Sequence, residues 1–247
     1  MKHCPVRLLF AGAFMLLAAG CDDAAGPVSG EPYRPPPGGT APTERMQSDQ
    51  WRTWPLAHRA AYIAGRVAAA DMLYRMGHEA EAAGHLKRPV EQVYSIDRAG
   101  LQVLGFRAEL VDAAAGAIDI GRPPEDVEPL LAGAVGNLAE TLAASGESPK
   151  SLVTFLMRIC AEAYDAGVDR GDVVNVEAYQ AAYGYAVVAR DLASAQEPDT
   201  YGDLRLELDI LVLMWPASGP VEGSAPPPEI RMAEQLARVR LALALVP

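Results

Sequence analysis

The sequence predicts an all-α protein, a bundle of about eight helices over residues 50–247, set behind a signal peptide and a disordered tether. Three observations predict it. Apolar residues recur at three- and four-residue spacing along most of the chain. Alanine is abundant and aromatics make up only 6% of residues, which favours closely packed helices over a sheet. Proline, serine and glycine fall where helices start and stop. Half of the residues are hydrophobic and the chain has 247 of them, enough for one sizeable core.

Residues 1–20 come first. Lys2 and Arg7 make a charged start, and the run "LLFAGAFMLLAA" over residues 8–19 has signal-peptide length, too short to span a bilayer. It ends in "LAAGCDD", with Ala18, Ala19 and Gly20 directly before Cys21. This resembles the lipobox of bacterial lipoproteins, with Ala18 where leucine is usual. The resemblance implies lipidation of the Cys21 thiol, cleavage before it, and a domain exported to the bacterial cell envelope, on the periplasmic side if the cell is Gram-negative. Diacylglycerol plus an amino-terminal acyl chain would supply more than the two anchors that stable membrane attachment needs. Asp22 and Asp23 resemble an inner-membrane retention signal of enteric bacteria, so the membrane concerned stays open. Residues 21–49 are rich in Pro, Gly and polar side chains without apolar period and read as a flexible linker, with polyproline character at residues 35–37.

Helical patterning begins after Trp51. Pro55 suits a first turn, and Ala57, Ala61, Ile63, Val67, Ala70, Leu73 and Tyr74 keep helical phase up to a stop at Gly77. A short helix is expected from His78 to about Lys87, interrupted at Gly84, and Pro89 is expected to open another through Leu104. "FRAELVDAAAGAIDIG" reads as a helix ending at Gly121, and "PPEDVEPLLAGAVGNLAETLAASG" as one with prolines and acids at its positive end. In "SPKSLVTFLMRICAEAYDAG", Ser148 is the expected N-cap and Pro149 the first helical residue. "DAGVDRGDVVN" reads as a solvated acidic turn, and the following long helix is expected to be capped by Asp172 or Asn175. In residues 204–214, Leu204, Leu206, Leu208 and Ile210 alternate as in a strand. Leu204, Leu208, Leu211 and Trp215 fit a helix equally well, and the helix is preferred. A final amphipathic helix turns Met232, Leu236, Val239 and Leu243 inward. "LYRMGHEAEAAGHL" resembles half of a tetratricopeptide repeat, but no second copy follows near a period of about 34, so a single helical hairpin is the economical reading.

Charge and cysteine content narrow the function. Net charge is −11; without residues 1–20, 19 basic residues face 32 acidic ones, giving −13. Such a surface repels phosphate backbones, which argues against nucleic acid as partner. With Cys4 lost and Cys21 acylated, Cys160 is the only cysteine left and has no disulfide partner; it reads as a buried inert thiol. No GxSxG, GxxxxGK[ST], HExxH, CxxC or EF-hand pattern is present, so no enzyme class is indicated.

A metal ion is the one cofactor the residues suggest. His78 and His85 are seven residues apart, about 10 Å along a helix and too far to share one ion. Glu81 lies one turn before His85, so the metal candidates are His85 and Glu81, awaiting ligands from a facing helix. The competing reading gives His78 a capping role and His85 a flank position. Met72 and Met76 read as core filler.

Two segments carry a further resemblance. "AGRVAAADMLYRMGHEAEAAGHLKRPVEQVY" and "EAYDAGVDRGDVVNVEAYQAAYGYAVVARDL" resemble segments of the periplasmic helical domains associated with bacterial iron permeases and, more distantly, imelysin-like proteins. Together they cover about a quarter of the chain. The resemblance implies a binding or accessory protein in metal, foremost iron, uptake or homeostasis, with a membrane transport or envelope protein as partner. Departures from the pattern are specific: Arg66 and Arg88 stand where the related segments carry histidine, and Ala178 and Ala181 where they carry Glu and Asp. His85, Glu91, Tyr179 and Gln180 persist in kind. The candidate ligand-binding set is therefore His85, Arg66, Arg88 and Tyr179, with the two arginines offered to an anion or paired with Asp71 and Glu91. The alternative is a structural or protein-interaction lipoprotein without a small-molecule site.

Overall fold

The computed structural model describes residues 53–89 and 95–247, all within a single unit. The expectations for residues 1–20, the linker at 21–49, the lipidation site Cys21 and Glu91 lie outside the described residues. Within them the chain is helical, in order α1 (Leu56–Arg75), α2 (Glu79–Pro89), α3 (Ser95–Val103), α4 (Ala108–Asp119), α5 (Pro124–Ala144), α6 (Pro149–Gly167), a two-residue hairpin of β1 (Val168–Asp169) and β2 (Asp172–Val173), α7 (Val176–Ser194), α8 (Pro198–Leu213) and α9 (Glu229–Leu245). None of these helices is long and apolar enough to cross a membrane.

α1 is the axis of the bundle. Ala57, Ala60, Ala61, Ile63, Ala64, Val67, Ala69, Ala70 and Leu73 are all buried. A helix covered on nearly every face needs neighbours on every side, and α1 packs against α2, α5, α6 and α7. Its small residues permit the close fit. At the crossing with α7, a Cβ on Gly184 would lie 2.0 Å from the Gly65 carbonyl oxygen, and one on Gly65 would lie 2.2 Å from Cδ1 of Tyr185. The two backbones therefore approach nearer than any side chain allows, which is why glycine occupies both positions.

α1 and α2 form the expected helical hairpin, turned at Gly77 with φ 81°. Two details differ from the sequence reading. α2 runs unbroken through Gly84, because one glycine costs a helix about 1 kcal/mol and buried Ala82, Ala83 and Leu86 on the packed face outweigh it. Pro89 closes α2 instead of opening the next helix; at a helix end its missing N–H sacrifices a single bond. Buried Asn137 of α5 then clamps the turn before α4, its Oδ1 accepting from the Arg107 amide at 2.8 Å and its Nδ2 donating to the Gly105 carbonyl at 2.9 Å.

Ser148 caps α6, accepting from the Ser151 amide at 3.1 Å, with Pro149 in the first turn. The acidic segment after α6 is a hairpin, not a plain turn: Val168 pairs with Val173 and Asp169 with Asp172. Arg170 (φ 52°) and Gly171 (φ 85°) make its two-residue corner, both left-handed as a type I′ turn requires. Asp172 is thus spent in the hairpin, and Asn175 caps α7 by accepting from the Ala178 amide at 3.1 Å. Residues 204–213 are helical, with Leu204, Leu208 and Leu211 buried as the helical reading requires. Met232, Leu236, Val239 and Leu243 of α9 are buried as expected.

The segment between α8 and α9 is fastened to the core. Tyr164 donates its hydroxyl to the Pro227 carbonyl, and its ring meets Tyr179 and Trp215 at 6.0 and 6.1 Å. Met72 and Met76 bring their sulfurs against Gly219 in the same loop. This anchoring holds Glu222 beside the first turns of α7.

Candidate functional site

Helical spacing assembles an open pocket of about 330 Å³ between α2 and α7. Glu81, His85 and Arg88 share one face of α2, separated by four and three residues, and Gly84 lies between them. Val176, Glu177 and Gln180 come from the first turns of α7, and Glu222 from the loop. The volume is at the small end of the range for small-molecule pockets.

Two interaction chains run through it. In the first, Glu177 receives both arginines: Arg66 of α1 donates to its Oε1 and Arg88 of α2 to its Oε2. The Arg66 side chain is only 5% exposed, against 54% for Arg88. Buried Arg66 therefore depends on Glu177 for its counter-charge, while the Arg88 pair is a solvent-washed bridge worth about 0–1 kcal/mol. Of the carboxylates expected for these arginines, Asp71 instead pairs with Arg75, at 2.9 and 3.0 Å.

In the second chain, Gln180 joins His85 to Glu81. Gln180 Nε2 donates to the Glu81 carboxylate, and Gln180 Oε1 lies 2.9 Å from Nε2 of His85. The carboxylate can only accept, which fixes the Gln180 amide with its oxygen toward the histidine. His85 must then carry its proton on Nε2, leaving Nδ1 as a bare lone pair. That Nδ1 is buried and has no partner. Burial first, then the Arg66 charge, hold the ring's pKa down at about 3, with the Gln180 bond opposing and Arg88 adding to the depression. The imidazole is neutral at physiological pH.

A pH dependence follows. Unfolded histidine titrates near 6.5, so between about pH 6.5 and about pH 3 the unfolded chain binds a proton that folded His85 refuses. His85 thus leaves stability intact above about pH 6.5 and erodes it as pH falls toward 3. Urea unfolding of wild type and His85→Gln from about pH 7 to about pH 4 should show the wild type losing ground relative to the variant, at up to about 1.4 kcal/mol per pH unit. A constant difference would mean that His85 is solvated in the folded protein, and a wild type that gains on the variant as pH falls would mean that it is charged.

Of the candidate ligand-binding residues, the structure brings His85, Arg66 and Arg88 to one place. It puts Tyr179 elsewhere: its ring is fully buried beside Tyr164 and Trp215, and burial pushes its hydroxyl up to about 12. The metal candidates His85 and Glu81 do face one another's neighbourhood, but Gln180 intervenes. Among the described residues no group of three or more His, Cys, Asp and Glu is placed to hold a metal ion. His78 sits 3.6 Å from Glu81 through Nδ1, just before the first residue of α2. Cys160 is buried, donates to the Ala182 carbonyl at 3.3 Å, and is pushed by burial up to about 12, which makes it inert.

Sequence reasoning passed over Glu177 and Glu222 and gave Gln180 no role. Glu177 lies three residues before Gln180 and so shares its face of α7, a spacing that could have shown it. Glu222 lies in a loop where no periodicity could reveal it. No family model, no curated protein and no solved structure matches the chain.

Proposed function

We propose that the chain is a lipid-anchored envelope protein whose helical domain is a binding or accessory module, with its ligand site in the α2–α7 pocket. The observation that carries this reading is the open α2–α7 pocket itself, whose wall brings Glu81, Arg88, Glu177 and Glu222 together around neutral His85. Charged side chains gathered from two helices and a loop around a concave opening are the usual setting of a small-molecule site. The amino-terminal motif ending at Cys21 supports the anchor, and the stretch after it supports a tether that lets the domain stand off the membrane. The resemblance to iron-permease-associated domains supports a setting in metal, foremost iron, uptake or homeostasis, with a membrane transport or envelope protein as partner. Within it this chain is a diverged member, since Arg66 and Arg88 bring cations where the related segments carry histidine.

Gly84 supplies the test. It lines the pocket, and a Cβ there would meet nothing within 4 Å, so Gly84→Leu fills the site without crowding the core. Thermal unfolding of the chelator-stripped full-length protein should be followed against iron, copper, zinc, manganese, phosphate and a panel of small polar metabolites. A ligand at about 100 times its Kd should stabilise the wild type by about 2.7 kcal/mol and leave Gly84→Leu unshifted. An equal shift in both proteins would place binding elsewhere.

The alternative, a structural or protein-interaction lipoprotein, has an observation of its own. Leu206, Ile210 and Leu213 stand 58%, 40% and 80% exposed at successive turns of α8. That reading gains if no probe shifts the wild type.

A further inference from the structure

α9 is apolar on two opposite faces, and only one of them is covered. Met232, Gln235, Leu236, Val239, Ala242 and Leu243 lie buried on its inner face. Ile230, Leu241 and Leu245 stand 70%, 68% and 73% exposed on the other. Ala237 and Ala244, also exposed, continue that outer stripe at helical spacing. Packing in the bundle does not account for the stripe, since a surface helix needs one apolar face only.

Arginine stands on both flanks of it. At about 100° per residue, Arg238 lies to one side of Leu241 and Arg240 to the other. Both are exposed, and neither has an ion pair among the described residues. The carboxylates of α9 are in its first half and are engaged. Glu229 accepts from the Arg170 amide at 2.8 Å, and Glu234 pairs with Arg231 at 3.5 Å. From Gln235 to Pro247 the chain has two arginines and no acidic side chain, in a protein of net charge −11. Neither arginine is in the last turn of α9, where a cation would answer the helix dipole. Their charge is offered outward.

The amino-terminal segment joins the domain on the same side. Trp54 packs its ring on Phe155 of α6, with centroids 4.9 Å apart. Five residues earlier on α6, about 8 Å along its axis, Lys150 donates to the Val246 carbonyl at the end of α9. Residues 22–52, 31 in number, separate Cys21 from Thr53. A coil of that many residues spans on the order of 30 Å. An acyl group at Cys21 would hold the domain within that reach of the bilayer, and tethering raises the effective concentration of a weak second contact.

On the reading that Cys21 carries a lipid anchor, we propose that the outer face of the second half of α9 rests on an anionic phospholipid surface. Leu241 and Leu245 enter the boundary between headgroups and acyl chains, and Arg238 and Arg240 straddle them to meet the phosphates. An apolar stripe edged with basic residues is how a helix lies in the plane of a membrane. The long arginine stems carry the charge up to headgroup level while the leucines stay below it. A membrane fits this face better than a protein does, because the anchor already brings one to this side of the domain.

The test places a solvatochromic fluorescent amino acid at Ala244 of the full chain and, in a second protein, at exposed Val135 of α5. Each protein is matured in a bacterial host and reconstituted into vesicles of phosphatidylcholine, or of phosphatidylcholine mixed with phosphatidylglycerol. With phosphatidylglycerol the emission at position 244 should shift to the blue and be quenched by nitroxide-labelled lipid, while position 135 stays aqueous. Arg238→Gln/Arg240→Gln should lower the docked-to-free ratio about thirtyfold, the equivalent of about 2 kcal/mol for two basic residues at an anionic surface. Leu241→Ser should abolish the quenching; both variants change exposed side chains and should keep the melting temperature. Blue emission that is equal in phosphatidylcholine alone would remove the arginines from the argument and overturn the proposal. Blue emission without vesicles, growing with protein concentration, would put a second copy of the chain on this face and overturn it too. Aqueous emission at 244 in a protein that floats with the vesicles would overturn the docking surface and leave the anchor standing. A protein that does not float with them would overturn both.

Discussion

Gly184→Ala should lower the melting temperature by about 6–12 °C. The added Cβ would sit 2.0 Å from the Gly65 carbonyl oxygen and 3.0 Å from the Ala69 amide nitrogen, both of them backbone atoms of α1 that no rotamer change can clear. Relief requires α7 to slide away from α1, the two helices whose contact buries much of the core. Overpacking of that kind costs about 3 kcal/mol, and in a chain of this size each kcal/mol is worth about 2–4 °C. Gly136→Ala is the matched control. Gly136 is an exposed interior position of α5 where a Cβ meets nothing within 4 Å, so the change should raise stability by about 0.5–1 kcal/mol through helix propensity alone. Opposite signs for the same chemical change would locate the effect in the α1–α7 crossing. A neutral Gly184→Ala would mean that the helices do not approach as closely as described.

Glu177→Ala should cost about 3 kcal/mol, the low end of what removing one partner of a buried ion pair costs, because Glu177 itself is about one-third exposed. The loss comes from Arg66, which is left charged and buried with no carboxylate to answer it. The companion variants separate this from simple loss of a contact. Arg88→Ala should cost less than about 1 kcal/mol, since its bridge to Glu177 is exposed. The double variant Arg66→Met/Glu177→Gln should recover most of the loss, because removing both charges leaves neither to be desolvated. Equilibrium urea unfolding of the four proteins checks all three statements. If the double variant is as unstable as Glu177→Ala, the buried charge is not what makes Glu177 necessary.

The helices were legible because their signals are local. Ser148 with Pro149, the capping Asn175, and the phased Met232, Leu236, Val239 and Leu243 each act within one or two turns, and each stands in the structure as the sequence suggests. Local signals failed where packing or pairing decided the outcome. Gly84 looks like a break in isolation, yet the buried face of α2 carries the helix through it. The Val168–Val173 hairpin is too short for an alternating pattern to announce; only "RG" between two valine–aspartate pairs hints at it.

The candidate site was half legible for the same reason. Glu81, His85 and Arg88 declare themselves by spacing on one helix, and Arg66 by a departure from a resembling segment. Glu177 is 111 residues from Arg66 and 89 from Arg88, so their pairing exists only once α1, α2 and α7 have packed. Tyr179 shows how fine the margin is. It neighbours Gln180 in sequence, but one residue is about 100° around a helix. That rotation sends Tyr179 into the aromatic cluster and Gln180 to His85.

The measurement closest to the centre of the account is the ring state of His85 in the protein without added ligand. A long-range 1H–15N correlation spectrum of the imidazole at neutral pH distinguishes both tautomers from the protonated ring. The account predicts a neutral ring with its proton on Nε2 and a bare Nδ1. A proton on Nδ1, or on both nitrogens, would contradict the Glu81–Gln180–His85 chain on which the site is built.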